Sequence, residues 1–221
     1  MLTMGLDLDE KGEPTAIAVV QTEKRKDERG KEVVCRDIWF MERLSEGGGH
    51  EAMERMAEIV DEATHRNGGR GPMLYVNVTG PGKPGLGALR FGKCRPPMTP
   101  VYLTEGDEAP EGHEAIRLGK GWLVFKLQEL LRTGCLHALD SATAGAEELG
   151  QELENYRPGD EPGPLMITLG LAVQKDWSGV CRVIIFEGPG SRNPYRNLRA
   201  EQAIRDSLDT LHWEREPGDV D

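Results

Sequence analysis

The chain has 221 residues, 38% of them apolar and 29% charged, with 28 glycines, 14 prolines and a formal net charge of −11. A chain of this length fits one domain that buries about 70% of its unfolded surface, and the composition excludes collagen-like, disulfide-scaffold and wholly disordered classes. No run reaches the roughly 18–20 apolar residues of a membrane helix, and Met1 to Asp9 carries acids where a signal peptide is basic and then apolar. The expectation is a cytoplasmic protein with no membrane partner. Cys35, Cys94, Cys135 and Cys181 stand singly, which predicts reduced thiols and no zinc site, and no metal is assigned to the five scattered histidines. An excess of 38 acidic over 27 basic residues repels the phosphate backbone at long range, so nucleic-acid binding requires a local basic patch.

Leu2, Met4, Leu6 and Leu8 alternate with Thr3, Gly5, Asp7 and Asp9, the period of a strand with one face buried, so Asp7 and Asp9 share the other face. After the turn Lys11-Gly12-Glu13-Pro14, Thr15 to Thr22 is a second strand and Glu32 to Leu44 a third. The charged run Glu23 to Lys31 between them reads as a solvated hairpin tip. The period then changes to 3.6: Met53, Met56, Ala57, Val60 and Ala63 form one stripe of a helix over His50 to His65, stopped at Asn67-Gly68-Gly69. Met73 to Val78 is a continuous apolar run, as in a parallel strand buried on both faces. A glycine-rich loop, a short helix at Leu86 to Phe91, a strand at Val101 to Thr104 and an extended piece at Glu114 to Leu118 follow.

Trp122 to Thr133 is a helix stopped by Gly134, and Ala144 to Tyr156 is another, with Leu149 and Leu153 inward and its acids outward or flanking. Pro158 to Pro164 is a loop by composition. Leu165 to Val173 is apolar throughout, so periodicity does not decide its type. Val183 to Phe186 is a further regular segment, and from Gly188 a turn-rich run leads into an amphipathic helix carrying Leu198, Ile204, Leu208 and Leu211. The predicted architecture is α/β: a mixed five-stranded sheet, three antiparallel strands followed by parallel ones, flanked by helices. Residues 1–187 form this domain and 188–221 a helical extension with an acidic tail. That order is the ribonuclease H-like arrangement.

Nucleases built on such a sheet draw carboxylates from the first strand, the end of the fourth and a late helix, holding two divalent cations that activate water and stabilise the leaving oxygen. The acids are needed because Mg²⁺ and Mn²⁺ prefer hard oxygen ligands. Several segments resemble the nuclease domain of phage terminase large subunits, in the branch found as prophage genes: GLDLDEKGEPTAIAVVQ, YVNVTGPG, LVFKLQELLRTGCL with ELGQELENYR, and PLMITLGLAV. The likeness runs from Gly5 to about Val173.

The resemblance implies that the first metal-binding aspartate falls on Asp7, the second on Asn77 and a terminal pair on Gly163 and Pro164. Two of three acidic positions are thus neutral, and losing negative ligands removes far more attraction for a divalent ion than neutral oxygens return. Asp9, Asp160, Glu161 and Glu105 are the acids near enough in sequence to substitute. The implied function is a catalytically impaired terminase-like nuclease domain acting as a DNA-processing or packaging-related binding module, with DNA and phage packaging proteins as partners. The alternative is an active two-metal DNA endonuclease using Mg²⁺ or Mn²⁺, with catalytic residues drawn from Asp7, Asn77, Asp9, Asp160 and Glu161. Asp7 as a hydrogen-bonded acid without metal stands beside Asp7 as a weak ion ligand.

Candidate phosphate contacts are Arg90, Lys93 and Arg95 after the glycine loop, Lys120 and Lys126 on the following helix, and Arg192, Arg196 and Arg199 near the end of the chain. No G-x-x-x-x-G-K-[ST] occurs, so no packaging ATPase is encoded. Gly80 to Gly85 spells G-x-G-x-x-G, with Glu105 twenty residues beyond Gly85, which is the pattern of a dinucleotide site. Against it, two prolines in that loop remove backbone donors and a three-strand meander precedes it. No small-molecule cofactor is expected.

Overall fold

The computed structural model describes residues 2–8, 14–26, 30–44, 49–80, 96–111, 115–139, 143–157 and 159–173. Among these residues seven strands and four helices follow in the order β1 Leu2–Leu8, β2 Pro14–Lys26, β3 Glu32–Arg43, α1 Gly49–Arg66, β4 Met73–Asn77, β5 Met98–Thr104, β6 Ile116–Gly119, α2 Lys120–Arg132, β7 Leu136–Ala138, α3 Thr143–Asn155 and α4 Pro164–Ala172. The expected short helix at Leu86 to Phe91, the segment Val183 to Phe186 and the whole extension from Gly188 lie outside the described residues. Among the described residues no helix is long and apolar enough to cross a membrane.

All seven strands join one mixed sheet in the order β6-β5-β4-β1-β2-β3-β7. The β1, β2 and β3 strands are antiparallel neighbours, whereas β4 runs parallel to β1, β5 to β4, β6 to β5 and β7 to β3. The central five are the strands expected from sequence, in a ribonuclease H-like arrangement. The sheet is wider than the expected five because the extended piece expected at Glu114 to Leu118 joins one edge as β6 and β7 adds a short parallel strand at the other. At four and three residues these edges are too short to show a period, and β7 is specified by its pairing with Arg36 to Ile38. The β2–β3 hairpin also runs further into the charged segment than expected: β2 continues to Lys26, where Arg25 pairs across the strands with Asp37 and Lys24 with Glu32.

Alternation in β1 separates two cores. Leu2, Met4, Leu6 and Leu8 pack with Ile17, Val19, Trp39, Leu74 and Val76 beneath Ala52, Met56, Ile59, Val60 and Ala63 of α1. The opposite face of the sheet, with Ala16, Ala18, Val20 and Ile38, meets α2, α3 and α4. Here α4 lies on β1, running antiparallel to it. Thr3 donates its hydroxyl to the Ala172 carbonyl, and a Cβ at Gly5 would lie 2.8 Å from the Thr168 carbonyl carbon. Leu165 to Ala172 are all buried, so the segment whose type periodicity left open is a short helix apolar on every side, clamped between the sheet and the helices α2 and α3. Its start is marked by Pro164 in the first turn, where a missing N–H costs nothing. The antiparallel run therefore points the N-terminus of α4 at the end of β1 that carries Asp7.

Candidate carboxylate site

Asp7 sits near the C-terminal end of β1, beside the end of β4, and is 8% exposed. Its face is that of Thr3 and Gly5, turned toward α4. Parallel pairing of β1 with β4 brings Asn77, seventy residues away, within reach: the Asn77 side-chain amide donates to Asp7 Oδ1 at 2.7 Å. The Thr79 backbone N–H donates to Asn77 Oδ1 at 3.0 Å, which fixes the amide so that its N–H group, not its oxygen, faces the carboxylate. Thr15, at the start of β2, donates its hydroxyl to Asp7 Oδ2 at 2.8 Å. Burial raises the Asp7 pKa above the ordinary carboxylate value; the hydrogen bonds from Asn77, Thr15 and the Leu8 backbone oppose that rise, and the charge of Glu152 adds to it.

Glu152 was not singled out by sequence. It projects from α3 with its side chain only 7% exposed and covers the N-terminus of α4, accepting hydrogen bonds from the backbone N–H groups of Leu165 at 3.2 Å and Met166 at 2.9 Å. Gly163, the residue before the helix, has no side chain to cap it, and Glu152 supplies the capping oxygens from another helix. A Cβ at Gly163 would lie 2.9 Å from Glu152 Cγ and overlap its carboxylate, so Glu152 fills the space where a side chain at 163 would begin. Arg43, at the end of β3, pairs with Glu152 and lies 3.6 Å from Glu148. One sequence signal for Glu152 exists: it falls on the stripe of Gly145, Leu149 and Tyr156, at spacings of four, three and four, and is therefore an inward acid.

The other expected participants are placed elsewhere. Asp160 is exposed and accepts from the Arg157 backbone N–H at 3.0 Å. Glu161 and Glu105 both pair with Lys120 at 2.6 Å, tying the loop before α4 to the loop after β5. Those bonds outweigh the effect of burial and raise the Lys120 pKa, so this lysine is a charged cross-link between acids, already engaged rather than held out for a phosphate. Lys126, too, is engaged, with Glu129. Asp9, Arg90, Lys93, Arg95, Arg192, Arg196 and Arg199 lie outside the described residues, as does most of the glycine loop. Cys35 and Cys135 are buried, and the Cys135 thiol donates to the Thr133 carbonyl at 3.9 Å.

The described residues do not fit a pair of Mg²⁺ or Mn²⁺ ions. Among the described residues no group of three or more His, Cys, Asp or Glu side chains could hold a metal. Both oxygens of Asp7 already accept hydrogen bonds, Asn77 presents the positive end of its amide, and the Glu152 oxygens are taken by α4 and Arg43.

The raised pKa has a measurable consequence. A carboxyl whose folded pKa lies above its unfolded value contributes stability below the unfolded pKa and loses it as pH rises through the folded one. Ionised Asp7 therefore weakens the fold at neutral pH. Asp7→Asn keeps an acceptor for Asn77 and an amide for the Thr15 oxygen, and is expected to raise stability by about 0.5–2 kcal/mol near neutrality, a gain that shrinks toward about pH 4. Thermal melts across that range check it; a variant no more stable than the parent at neutral pH would refute it.

No family model, no curated protein and no solved structure matches this chain.

Proposed function

We propose that this chain is a terminase-type nuclease domain on a ribonuclease H-like sheet that no longer carries two-metal cleavage and serves as a DNA-binding module in DNA processing or packaging, with duplex DNA and phage packaging proteins as its partners. The observation that carries this reading is the Asn77 amide. At the end of β4 a two-metal enzyme needs a second anionic oxygen beside Asp7, and here an N–H group points at Asp7 and is held there by the Thr79 backbone. A donor at that place repels a cation, and the pair satisfies itself. DNA contact on this reading falls to the basic residues Lys93, Arg95, Arg192, Arg196 and Arg199, since Lys120 is engaged with Glu105 and Glu161.

Supercoiled plasmid incubated with the protein over a Mn²⁺ and a Mg²⁺ titration is expected to stay uncut, while labelled duplex DNA is retained with an affinity that falls as salt rises. Metal-dependent nicking that disappears in Asp7→Asn would overturn the loss of cleavage and restore the endonuclease reading. A chain that neither cuts nor retains DNA would remove the nucleic-acid reading altogether.

A further inference from the structure

Arg36 is 3% exposed, and among the described residues neither its Nε nor its Nη1 has a hydrogen-bond partner. It stands on β3 opposite Thr22 of β2 and Leu136 of β7, on the face of Ile38, which belongs to the core shared with α2, α3 and α4. Asp7 is level with Ala16 and Ala16 with Arg43, so Arg36, seven residues before Arg43 on β3, belongs to the other end of the sheet from the carboxylate site. Guanidinium groups stay charged in proteins, and a charge taken out of water without a counter-charge is strongly destabilising. We propose that Arg36 is the seat of an oxyanion site that takes one phosphate or carboxylate group. The site is separate from Asp7 and does not rest on the DNA-binding reading.

The backbone beside Arg36 does not supply what the guanidinium lacks. At the end of α2 the Leu130 carbonyl accepts from the Cys135 N–H and the Thr133 hydroxyl, the Leu131 carbonyl from the Gly134 N–H, the Thr133 carbonyl from the Cys135 thiol, and the Cys135 carbonyl from the N–H of Arg36 itself. The turn thus satisfies its own acceptors. Access comes along the sheet edge: the pairing of β7 with β3 begins at Arg36 and Leu136, and from Cys35 back to Glu32 no described strand lies on that side of β3. An oxyanion is the matching ligand because it alone supplies both the acceptors and the negative charge. It has two possible sources, a free phosphate-class anion or a carboxylate among the residues after Val173, which include Glu214, Glu216, Asp219 and Asp221. Thr3 bonds to Ala172, Thr3 pairs with Val20 and Val20 with Ile38, so the described chain leaves α4 at the end of the sheet that carries Arg36.

The test is the melting midpoint of the full chain and of Arg36→Met near neutral pH, with inorganic phosphate titrated at constant ionic strength. If the anion is free, Arg36→Met melts above the parent in the absence of phosphate, because a lone buried charge has been removed. The parent then gains about 5–10 °C at a hundredfold excess of phosphate over its dissociation constant, and the variant gains nothing. If the anion is a carboxylate of this chain, Arg36→Met melts at least about 5 °C below the parent at every phosphate concentration, because the acid is left unpaired, and Arg36→Lys recovers part of the loss by restoring the charge. Arg36→Gln takes the place of Arg36→Met if the latter does not fold by circular dichroism. A neutral variant that melts at or above the parent throughout, with no phosphate gain confined to the parent, would overturn the site. So would a loss that is independent of phosphate and equal in Arg36→Met and Arg36→Lys, since that would be a loss of packing alone.

Discussion

Gly5→Ala is expected to destabilise the protein by at least about 3 kcal/mol, more than the 1–3 kcal/mol typical of overpacking in a core. The added methyl would sit 2.8 Å from the Thr168 carbonyl carbon and 2.9 Å from the Ala172 backbone nitrogen, and would overlap the Thr168 oxygen. These are backbone atoms of a buried helix, so no rotamer change relieves the clash and α4 must lift from β1 along its length. Lifting it would also strain the Thr3 bond to Ala172 and draw the helix start away from Asp7. The control is Gly170→Ala on the same helix, whose methyl would overlap Leu123 Cγ and Cδ2 and lie 2.9 Å from Leu123 Cδ1, so that it meets side-chain atoms and no backbone. There the leucine can turn aside, and the gain of about 1 kcal/mol in helix propensity offsets part of the cost. Urea unfolding of both variants decides: equal destabilisation would show that the contact at Gly5 is no tighter than an ordinary side-chain contact.

Glu152→Ala is expected to cost about 3 kcal/mol, or about 6–12 °C in the melting midpoint for a chain of this size. The loss comes from two backbone N–H groups in the first turn of α4, those of the fully buried Leu165 and Met166, which lose their acceptor with the carboxylate. The bond to Arg43 adds less, since that guanidinium is half exposed and is rehydrated. Glu152→Gln separates the two contributions. It retains one acceptor oxygen for α4 but offers an N–H₂ where the second helix N–H requires an acceptor, so its cost should fall between those of the parent and the alanine variant. Calorimetric melts that place Gln and Ala together at less than about 1 kcal/mol would show that α4 does not depend on this cap.

Much of the architecture was legible because it is written in local periods. The alternation from Leu2 to Leu8 places four side chains under α1 and leaves Thr3, Gly5 and Asp7 for the other face, and the stripe from Met53 to Ala63 defines α1. An apolar run at Met73 announces a buried parallel strand, and Asn77 is where it ends. Asp7 and Asn77 were both legible as residues near the ends of their strands, because a strand end is recognisable once the order of elements is.

What tertiary structure alone decided has a common physical origin: it depends on contacts between residues far apart in the chain, which no window of sequence contains. Leu165 to Val173 has no polar side to set a period, and it is a helix because sheet and helices enclose it completely. The edge strand β7 exists because a longer neighbour offers it hydrogen-bonding partners, and the extended piece at Glu114 to Leu118 becomes the strand β6 through its pairing with β5. The direction of the Asn77 amide follows from the Thr79 N–H on one side and a carboxylate seventy residues away on the other. Glu152, one acid among many on an acidic helix, takes its role from the bare N-terminus that the fold sets before it and from an arginine 109 residues earlier.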